Sequence, residues 1–330
     1  MGSRRGPSFS KLEMILQRQG GVPKWGAEYT PANVMGDVDS PGRSRPLNIY
    51  APPLGRWVHA QAKNESPFVH LALHCSLLFD LHEQKMLQFN PSAHPLSSHP
   101  HSKGLELPRL RGTLAVAEEL NGLSRHPMVR APKDHPHFPR KIFPFPYVGD
   151  FLLFFFDESG PWCVNWTIKL DIEDFKRTFK ARYKPPTEKD RAQAEFRHEM
   201  EKRYYLDGWI PTHHLAGKMI DRELRINLKT IHYWWSRAPQ EPKALLVEDE
   251  MIDWYRQQIP KIRIMFDMEK EAAAKFHTTV HDAKWILKKG IFARTVRVDL
   301  FRTVLDNLPL YPEGEDPFVR YGDWISRGQQ

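Results

Sequence analysis

The sequence predicts an α/β protein in which a small core with a mixed sheet is followed by a mostly helical region. Two hydrophobic runs at 148–156 and 162–170, separated by a turn with Ser159-Gly160-Pro161, predict a pair of strands. An amphipathic, charge-rich stretch at 190–206 predicts a helix after them, and residues 209–212 predict a further short strand. With a helix expected before the strand pair, this order is typical of a mixed α/β core.

The residues before this core are expected to form a basic arm over 1–60. The arm is rich in Gly, Pro, Ser and Arg, and it contains eight basic against four acidic residues. A short helix is expected at 9–18 and a strand at 47–50, with irregular chain elsewhere. The core itself is expected at 61–238.

The first helix of the core is expected at 65–79, since Pro67 suits a first turn, where its missing N–H is not needed. His70 and His74 stand one turn apart, but the glutamate of a metalloprotease helix is absent, so we interpret them as ordinary helix residues. Residues 91–147 are rich in proline and histidine. Prolines interrupt this segment and its histidines lack i, i+4 spacing, which favours a solvated loop over a metal site.

A proline-flanked segment at 239–242 is interpreted as a linker to a second region at 243–330. Apolar spacing predicts three helices in this region, and Gly290 is expected to end the last of them before a short strand at 295–301. Helices followed by a glycine turn and a strand are typical of a winged-helix-like domain. An ordinary helical bundle is the alternative. The three helices are expected at 245–258, 262–276 and 280–289.

The second region carries a basic excess. Between residues 261 and 302, ten basic residues stand against five acidic ones. Lys284 and Lys288 share a helical face and Lys289 is next to them, so the three predict a stripe that contacts a phosphate backbone or a partner. The alternative is that this face is simply solvated.

Composition limits the classes of function. The 330 residues include 48 Lys and Arg against 40 Asp and Glu, a net charge of +8, which favours a polyanionic partner, although a merely basic enzyme has the same balance. The two cysteines, Cys75 and Cys163, predict neither a zinc site nor a secreted disulfide scaffold. The longest run of aliphatic and aromatic residues, 151–156, is too short for a membrane helix, so we expect no membrane partner. No apolar stretch follows the basic start at 1–5, and together with the cysteine usage this favours a cytoplasmic protein.

An acid and a lysine on the predicted strand pair indicate a metal-dependent active site. Asp150 interrupts an apolar strand, where a buried and unpaired carboxylate costs stability. Thr167 and Lys169 face one side of the second strand because strand side chains alternate, and a hairpin brings them near Asp150. This arrangement is that of restriction-endonuclease-like nucleases, in which a metal ion and a lysine act on a phosphodiester. The alternative is a surface hairpin with a salt-bridged aspartate.

A series of short motifs runs along most of the chain. It comprises Ser8-Phe9-Ser10, Gly26 to Tyr29 with Pro31, Ser40-Pro41-Gly42-Arg43-Ser44, Gly55-Arg56 with His59, Glu65, Asp80-Leu81-His82-Glu83-Gln84, His126-Pro127-Met128-Val129-Arg130, Asp150-Phe151-Leu152, Thr167-Ile168-Lys169 and Glu201-Lys202-Arg203-Tyr204-Tyr205. In order and rough spacing this series resembles the TnsA family, the endonuclease subunit of heteromeric bacterial transposases. Fainter similarity extends over 282–302.

The resemblance implies a catalytic site and its metal. It assigns the family's catalytic glutamate to Glu65 and its catalytic aspartate to Asp150, both as ligands of Mg²⁺, for which Mn²⁺ is expected to substitute. The family's glutamine-any-lysine pair falls on Thr167 and Lys169, so a threonine stands where the family has a glutamine. The long segment between residues 84 and 150 departs from the family as an insertion.

Two further acids are candidates for the same site. Glu83, in one of the motifs, is the alternative acid. Glu201, on the helix after the strand pair, could also line the site, although a solvated helix charge is the simpler interpretation.

The resemblance also implies a fold, an activity and partners. The expected fold is a restriction-endonuclease-like mixed-sheet core followed by the winged-helix-like domain, which would contact DNA or a partner. The expected activity is cleavage of the 5′ strands at transposon ends in the bacterial cytoplasm, alongside a transposase, TnsB, that cuts and joins the 3′ strands, and an ATPase, TnsC, that couples cleavage to target selection. Two alternatives stay open: a stand-alone restriction or repair nuclease, and a DNA- or partner-binding subunit whose catalytic site has weakened.

Overall fold

The structure is a computed structural model that describes residues 7–34, 46–178 and 185–328. The motif Ser40-Pro41-Gly42-Arg43-Ser44 lies outside these ranges. The strands of the described residues are β1 (Leu47–Ala51), β2 (Arg56–Ala60), β3 (Leu78–Glu83), β4 (Met128–Arg130), β5 (Ile142–Pro144), β6 (Phe151–Asp157), β7 (Gly160–Lys169) and β8 (Thr212–Ala216). The helices are α1 (Phe9–Gln19), α2 (Ser66–His74), α3 (Thr113–Glu119), α4 (Glu188–Leu206), α5 (Arg222–Trp235), α6 (Lys243–Leu246), α7 (Glu248–Gln258), α8 (Met265–Lys275), α9 (Val280–Phe292) and α10 (Pro317–Arg320).

The centre of the fold is a four-stranded sheet in the order β3-β6-β7-β8. Strands β3, β6 and β7 pair antiparallel, and β8 pairs parallel to β7. The parallel pair follows from the connection between its strands, because α4 lies between them and a crossover is needed to return the chain in the same direction. An α/β fold with a mixed sheet, as the sequence predicts, is therefore confirmed.

Helices cover both faces of this sheet. On one face Trp166 of β7 packs with Phe68 of α2 in the main hydrophobic core, and on the other face Leu152 packs with Met200 of α4. Because β6 is buried on both faces, its sequence is an unbroken apolar run from Phe151 to Phe155 rather than an alternating pattern. No helix in the described ranges combines the length and the apolar character needed to cross a bilayer.

Strand β3 is an element that the sequence analysis did not predict. The helix expected at 65–79 ends at His74, and β3 begins four residues later at Leu78. The strand contains polar residues that are buried, and these residues have partners within the fold. Asp80 accepts the N–H of Gly26 at 2.7 Å, and Glu83 pairs with an arginine of β2. These partners are distant in sequence, so the pattern within β3 gives no sign that it is a strand of the central sheet, where it lies at one edge.

The arm expected at 1–60 contains packed elements where it is described. Helix α1 and strand β1 occur where they are predicted, and Leu12 and Ile15 of α1 are buried. The side chain of Gln19 joins α1 to the core, because its carbonyl accepts the N–H of Met86 at 2.7 Å and its amide donates to the Gln84 carbonyl at 3.2 Å. The described part of the arm is thus held against the sheet.

The end of α9 differs from the prediction. Gly290 lies inside α9, which continues to Phe292, so the predicted helix end is wrong. A Cβ at Gly290 would lie 2.9 Å from Val296 Cγ2, so close packing rather than a helix stop explains the glycine. The strand predicted at 295–301 is also wrong: the described residues there form only an isolated bridge, between Val298 and Pro312. The helices expected for a winged-helix-like domain are therefore present, but the described residues of this part of the chain form no regular strand pair.

The three lysines predicted to form a phosphate-contacting stripe lie instead in ion pairs. Lys284 pairs with Asp306, and the amino group of Lys288 is 3.9 Å from the same carboxylate. Lys289 pairs with Glu248 at 2.6 Å. The Lys288 side chain is only 1% exposed, because α9 turns that face into the interior. The prediction of a stripe that contacts a phosphate backbone or a partner is therefore wrong for the buried Lys288, and the other two lysines are held in ion pairs.

The region at 243–330 shares a hydrophobic core with the region before it. Helix α5 packs on α9, and one continuous set of buried side chains includes Ile49 near the beginning of the chain and Tyr321 near its end. The division into units at 61–238 and 243–330 stays a prediction, and the two are joined by an extensive buried contact.

The segment at 239–242, predicted to be a linker, is anchored at that contact. The carboxylate of Asp282, which is buried at the start of α9, accepts the N–H of Gln240 at 2.6 Å and that of Glu241 at 3.1 Å. These bonds to a buried acid hold the connection in place.

Asn227 of α5 attaches the segment after α9 to the rest of the fold. Its amide donates to the carbonyls of Leu300 and Arg302 at 2.8 and 2.7 Å, and its carbonyl accepts the N–H of Val304 at 3.1 Å. Because Asn227→Ala leaves these backbone groups unsatisfied, we expect it to lower the free energy of unfolding by about 3 kcal/mol. Urea unfolding followed by circular dichroism measures this loss.

Asn307→Ala is the matched control, since Asn307 is exposed. Its effect should stay within about 0.5 kcal/mol. Equal free energies of unfolding for the two variants would contradict the attachment role of Asn227.

Candidate active site

The β6–β7 hairpin brings Asp150 and Lys169 together, as the strand pattern predicts. Asp150 immediately precedes β6, and its Oδ2 accepts the N–H of Ile168 at 2.7 Å. The Lys169 amino group lies 3.8 Å from the same oxygen. Both side chains are partly exposed, so an acid and a lysine face solvent at the end of the β6–β7 pair that lies away from the hairpin turn.

Glu65 lies beside this pair at the beginning of α2. Its Oε2 accepts the N–H of Gln61 at 2.7 Å, and the side chain is buried. Burial and the negative charge of Asp150 raise the pKa of Glu65 to about 8, against the opposing charge of Lys169. The structure therefore brings together Glu65, Asp150 and Lys169. No spacing signal in the sequence indicates Glu65, and only the family resemblance assigns it to the site.

Thr167 lies on the same side of β7 as Lys169, with its side chain only 3% exposed. Its hydroxyl has no hydrogen-bond partner among the described residues, and neither has the Asn165 side-chain carbonyl two residues earlier. Two unpartnered oxygens thus lie along the strand that leads to Lys169. Buried hydroxyls in proteins normally have a partner, so these oxygens are available to a ligand.

Glu201 of α4 reaches the same side of the sheet. It is buried, and its Oε1 accepts a hydrogen bond from the Asn165 amide at 3.2 Å. Burial raises the pKa of Glu201, Arg197 opposes this, and the charge of Asp150 adds to it. The interpretation of Glu201 as a solvated helix charge is therefore wrong. Its own helix gives a charge-rich pattern, and only the packing of α4 on the sheet reveals the burial.

The alternative acid Glu83 has a different environment. Both of its carboxylate oxygens accept from the guanidinium of Arg56 at 2.9 Å, and one also accepts the N–H of His59 at 3.1 Å. Burial raises the pKa of Glu83, and Arg56 opposes that shift. Glu83 is thus occupied in joining β3 to β2, which makes it a poorer ligand candidate than Glu65.

A cleft of about 530 Å³ lies between α4, β8 and the turn Ile172–Lys176; we call it the α4 cleft. It is lined by Phe175, Lys176, Arg191, Glu195, His198, Glu199, Lys202, Thr212 and His214. Lys169 adjoins it, since its amino group is 5.8 Å from the Phe175 ring centre. Within the described ranges Arg191 and Lys202 have no ion-pair partner and are exposed, which suits a site for phosphate groups.

Two histidines of the α4 cleft were not singled out by the sequence analysis. The rings of His198 and His214 are 5.0 Å apart, and each has a ring nitrogen with no hydrogen-bond partner among the described residues. Burial, and then the charge of Lys169, lower the pKa of His198 to about 3. Both factors also lower the pKa of His214. They are neutral near pH 7 and can hydrogen-bond without adding charge.

The donor set at the sheet edge suits a hard cation. Two carboxylates, Asp150 and Glu65, lie within electrostatic reach of each other, and the unpartnered hydroxyl of Thr167 is a third oxygen. Mg²⁺ prefers oxygen ligands and is held in proteins by one or two carboxylates. The described residues contain no group of three or more His, Cys, Asp and Glu side chains placed to hold a metal, so the set rests on these two acids.

Comparisons with known proteins add no relative. No protein-family model matches the chain, and no curated protein matches it. The resemblance to the TnsA family therefore rests on the motifs quoted above.

Glu65 is expected to make the metal-free protein less stable as the pH rises. Its pKa is about 8 in the folded protein and about 4.5 in an unfolded chain, so the folded state binds more protons between these values. The free energy of unfolding therefore falls from about pH 4.5 to about pH 8. Glu65→Gln should reduce this fall by about 1 kcal/mol or more, measured by urea unfolding in the presence of a chelator.

Glu158→Gln is the control, because Glu158 is an exposed glutamate in the β6–β7 turn. It should keep the wild-type pH dependence. A Glu65→Gln variant with the wild-type slope would show that the carboxyl is not buried beside Asp150.

Proposed function

We propose that the chain is a Mg²⁺-dependent DNA endonuclease, the subunit of a heteromeric transposase that cuts the 5′ strands at transposon ends. The observation that carries the proposal is the meeting of Asp150 and Lys169 at one sheet edge with Glu65 buried beside them. A restriction-endonuclease-like core is part of the proposal. It is supported by a mixed sheet with helices on both faces and with the acid and the lysine on neighbouring strands.

The reaction is hydrolysis of a phosphodiester. A water oxygen forms a bond to phosphorus, the bond from phosphorus to one sugar oxygen breaks, and the water proton finally resides on the leaving oxygen or in solvent. Glu65 and Asp150 would hold Mg²⁺ or Mn²⁺, which supplies the positive charge that polarises the phosphodiester.

Residues of the chain perform the other parts of this reaction. Lys169 orients the attacking water and stabilises the negative charge that develops on the phosphoryl oxygens. The hydroxyl of Thr167 can hydrogen-bond to a water or a ligand, but it is shorter than the glutamine of the family. Arg191 and Lys202 of the α4 cleft hold neighbouring phosphates of the strand that is cut.

The partners in the proposal are transposon-end DNA, the transposase TnsB and the ATPase TnsC, in the bacterial cytoplasm. They rest on the family resemblance, and the net charge of +8 supports a polyanionic partner. The region at 243–330 would contribute contacts to DNA or partners, although not through the ion-paired lysines of α9.

A catalytically weakened DNA- or partner-binding subunit is the second candidate function. The observation in its favour is Thr167, which stands where the family has a glutamine. A stand-alone nuclease is distinguished from both candidates by the genes beside this one, since a transposase subunit requires a transposase and an ATPase.

Asp150→Asn and Lys169→Ala are each expected to reduce cleavage at least about a hundredfold, because each removes charge from the reacting centre. The assay uses plasmid DNA that carries the transposon ends, Mg²⁺ and the partner transposase, and it scores 5′-strand cuts on denaturing gels. Asp150→Asn keeps an oxygen that can accept the N–H of Ile168, so the fold is preserved.

Asp134→Asn, at an exposed aspartate outside the sheet, is the control and should cut at the wild-type rate. Cleavage by Asp150→Asn at the wild-type rate would show that Asp150 is not part of the active site. A wild-type protein that assembles with its partners but makes no metal-dependent cuts would instead establish the weakened-subunit function.

Thr167→Val tests whether the threonine hydroxyl contributes to catalysis. If the hydroxyl bonds to the metal or the water, the variant should cut about tenfold more slowly, and added Mg²⁺ should restore part of the rate. Stability should not fall, because the hydroxyl has no partner in the fold. Rates at several Mg²⁺ concentrations measure the effect.

Thr278→Val is the matched control, since Thr278 also has a buried hydroxyl without a partner among the described residues. It should leave the rate unchanged. Equal rates for Thr167→Val and wild type would mean that Thr167 is only a strand residue.

A further inference from the structure

A second groove lies between β1 and α5. Its volume is about 590 Å³, and we call it the β1–α5 groove. One wall is formed by β1 and by Trp57 of β2, and the other by Lys229, Tyr233 and Arg237 of α5 and the turn after it. None of the residues proposed to act on DNA lines this groove, so its role is separate from the proposed nuclease.

One edge of β1 faces this groove. In an antiparallel pair, residues alternately direct their backbone groups toward the partner strand and away from it. The carbonyl of Tyr50 accepts a hydrogen bond from Nε2 of His232 at 2.9 Å, so the backbone groups of Tyr50 point away from β2 and toward α5. By the same alternation those of Asn48 point the same way.

Among the described residues this edge is open for pairing at Asn48, while His232 occupies the carbonyl of Tyr50. Within the described ranges β1 pairs with β2 alone, and outside that ladder the N–H and C=O of Asn48 make no backbone hydrogen bond there. An unpaired strand edge is a template on which another extended chain can form a ladder.

Aromatic side chains with large exposed surfaces border the same edge. Trp57 is 55% exposed and Tyr233 is 50% exposed. Tyr50 and Trp57 lie opposite each other on the two strands, with ring centres 5.2 Å apart. Exposed aromatic groups gathered around an open edge indicate a surface that another chain covers.

The charge of the groove defines what it can bind. Lys229 and Arg237 are exposed, and within the described ranges neither has an acidic partner; the Arg237 guanidinium lies 3.7 Å from the Tyr233 ring centre. No Asp or Glu is among the described residues that line the groove. Its two histidines, His70 and His232, have a pKa lowered by burial and are neutral near pH 7. The groove is therefore cationic and calls for an acidic occupant.

We propose that the β1–α5 groove binds an extended acidic segment of a protein partner, which adds to β1 as a third strand. Its backbone would pair with the outward N–H and C=O of Asn48. Its acidic side chains would reach Lys229 and Arg237, and its apolar side chains would cover Trp57 and Tyr233. A nucleic acid would satisfy the two cations, but it has no regular ladder of peptide groups to pair with a strand edge.

The first experiment measures binding of synthetic peptides by fluorescence anisotropy. The probe is a labelled peptide in which glutamate and valine alternate. The comparison peptides replace glutamate by lysine, or carry N-methyl groups on every second residue, which removes the N–H groups on one edge. The acidic peptide should bind at least about tenfold more tightly than either comparison peptide.

The second experiment identifies where the acidic peptide binds. Lys229→Glu together with Arg237→Glu should weaken binding at least about tenfold. The control pair, Lys103→Glu with Arg109→Glu, makes the same change of charge at exposed positions elsewhere and should bind as wild type does. Hydrogen exchange should show slowing at the Asn48 amide when the peptide is bound.

Three results would overturn the proposal. Failure of the acidic peptide to bind would show that the groove is not a peptide-binding site. Equal binding of the N-methylated peptide, with no slowing at Asn48, would exclude strand addition. Tighter binding of labelled oligothymidylate than of the acidic peptide, abolished by the Lys229→Glu and Arg237→Glu pair, would make the groove a nucleic-acid surface.

Discussion

The antiparallel pairing of β6 with β7 is the constraint on which the rest of the structure depends. Both strands are buried between helices on the two faces of the sheet, so their register is fixed by the core. Asp150 and Lys169 stand at one end of this pair, and the bond from the Ile168 N–H to the Asp150 carboxylate continues the contact beyond the strand. The acid and the lysine are therefore held by a rigid element, which the proposed catalysis would require.

Two buried acids among the described residues, Glu83 and Glu65, have contrasting environments. Glu83 is bound on both oxygens by Arg56, so its charge is satisfied within the fold. Glu65 has a raised pKa because it is buried next to Asp150, and the hydrogen bond from the Gln61 N–H and the charge of Lys169 oppose this shift only in part. An arrangement that costs stability and lies at a strand end beside a cleft is typical of functional sites. This difference in environment, rather than residue type, separates the structural acid from the candidate ligand.

Net positive charge alone does not locate a binding surface in this protein. The lysines of α9 form ion pairs with acids within the fold, and Lys288 is buried. The exposed cations without ion partners in the described ranges include Arg191 and Lys202 at the α4 cleft, and Lys229 and Arg237 at the β1–α5 groove. Two separate surfaces of different chemistry thus carry positive charge, one beside the candidate active site and one beside an open strand edge.

The sequence by itself determined the central strand pair, α4 and most helices after residue 243, because apolar periodicity and turn residues are local signals. It also determined that Asp150 and Lys169 meet, since a hairpin fixes that geometry. Tertiary structure decided that β3 is an edge strand of the central sheet with buried polar residues, that Glu201 is buried and that Lys288 lies in the interior. It likewise put Glu65 beside Asp150. Each of these depends on a partner distant in sequence, and periodicity within one segment carries no information about such partners.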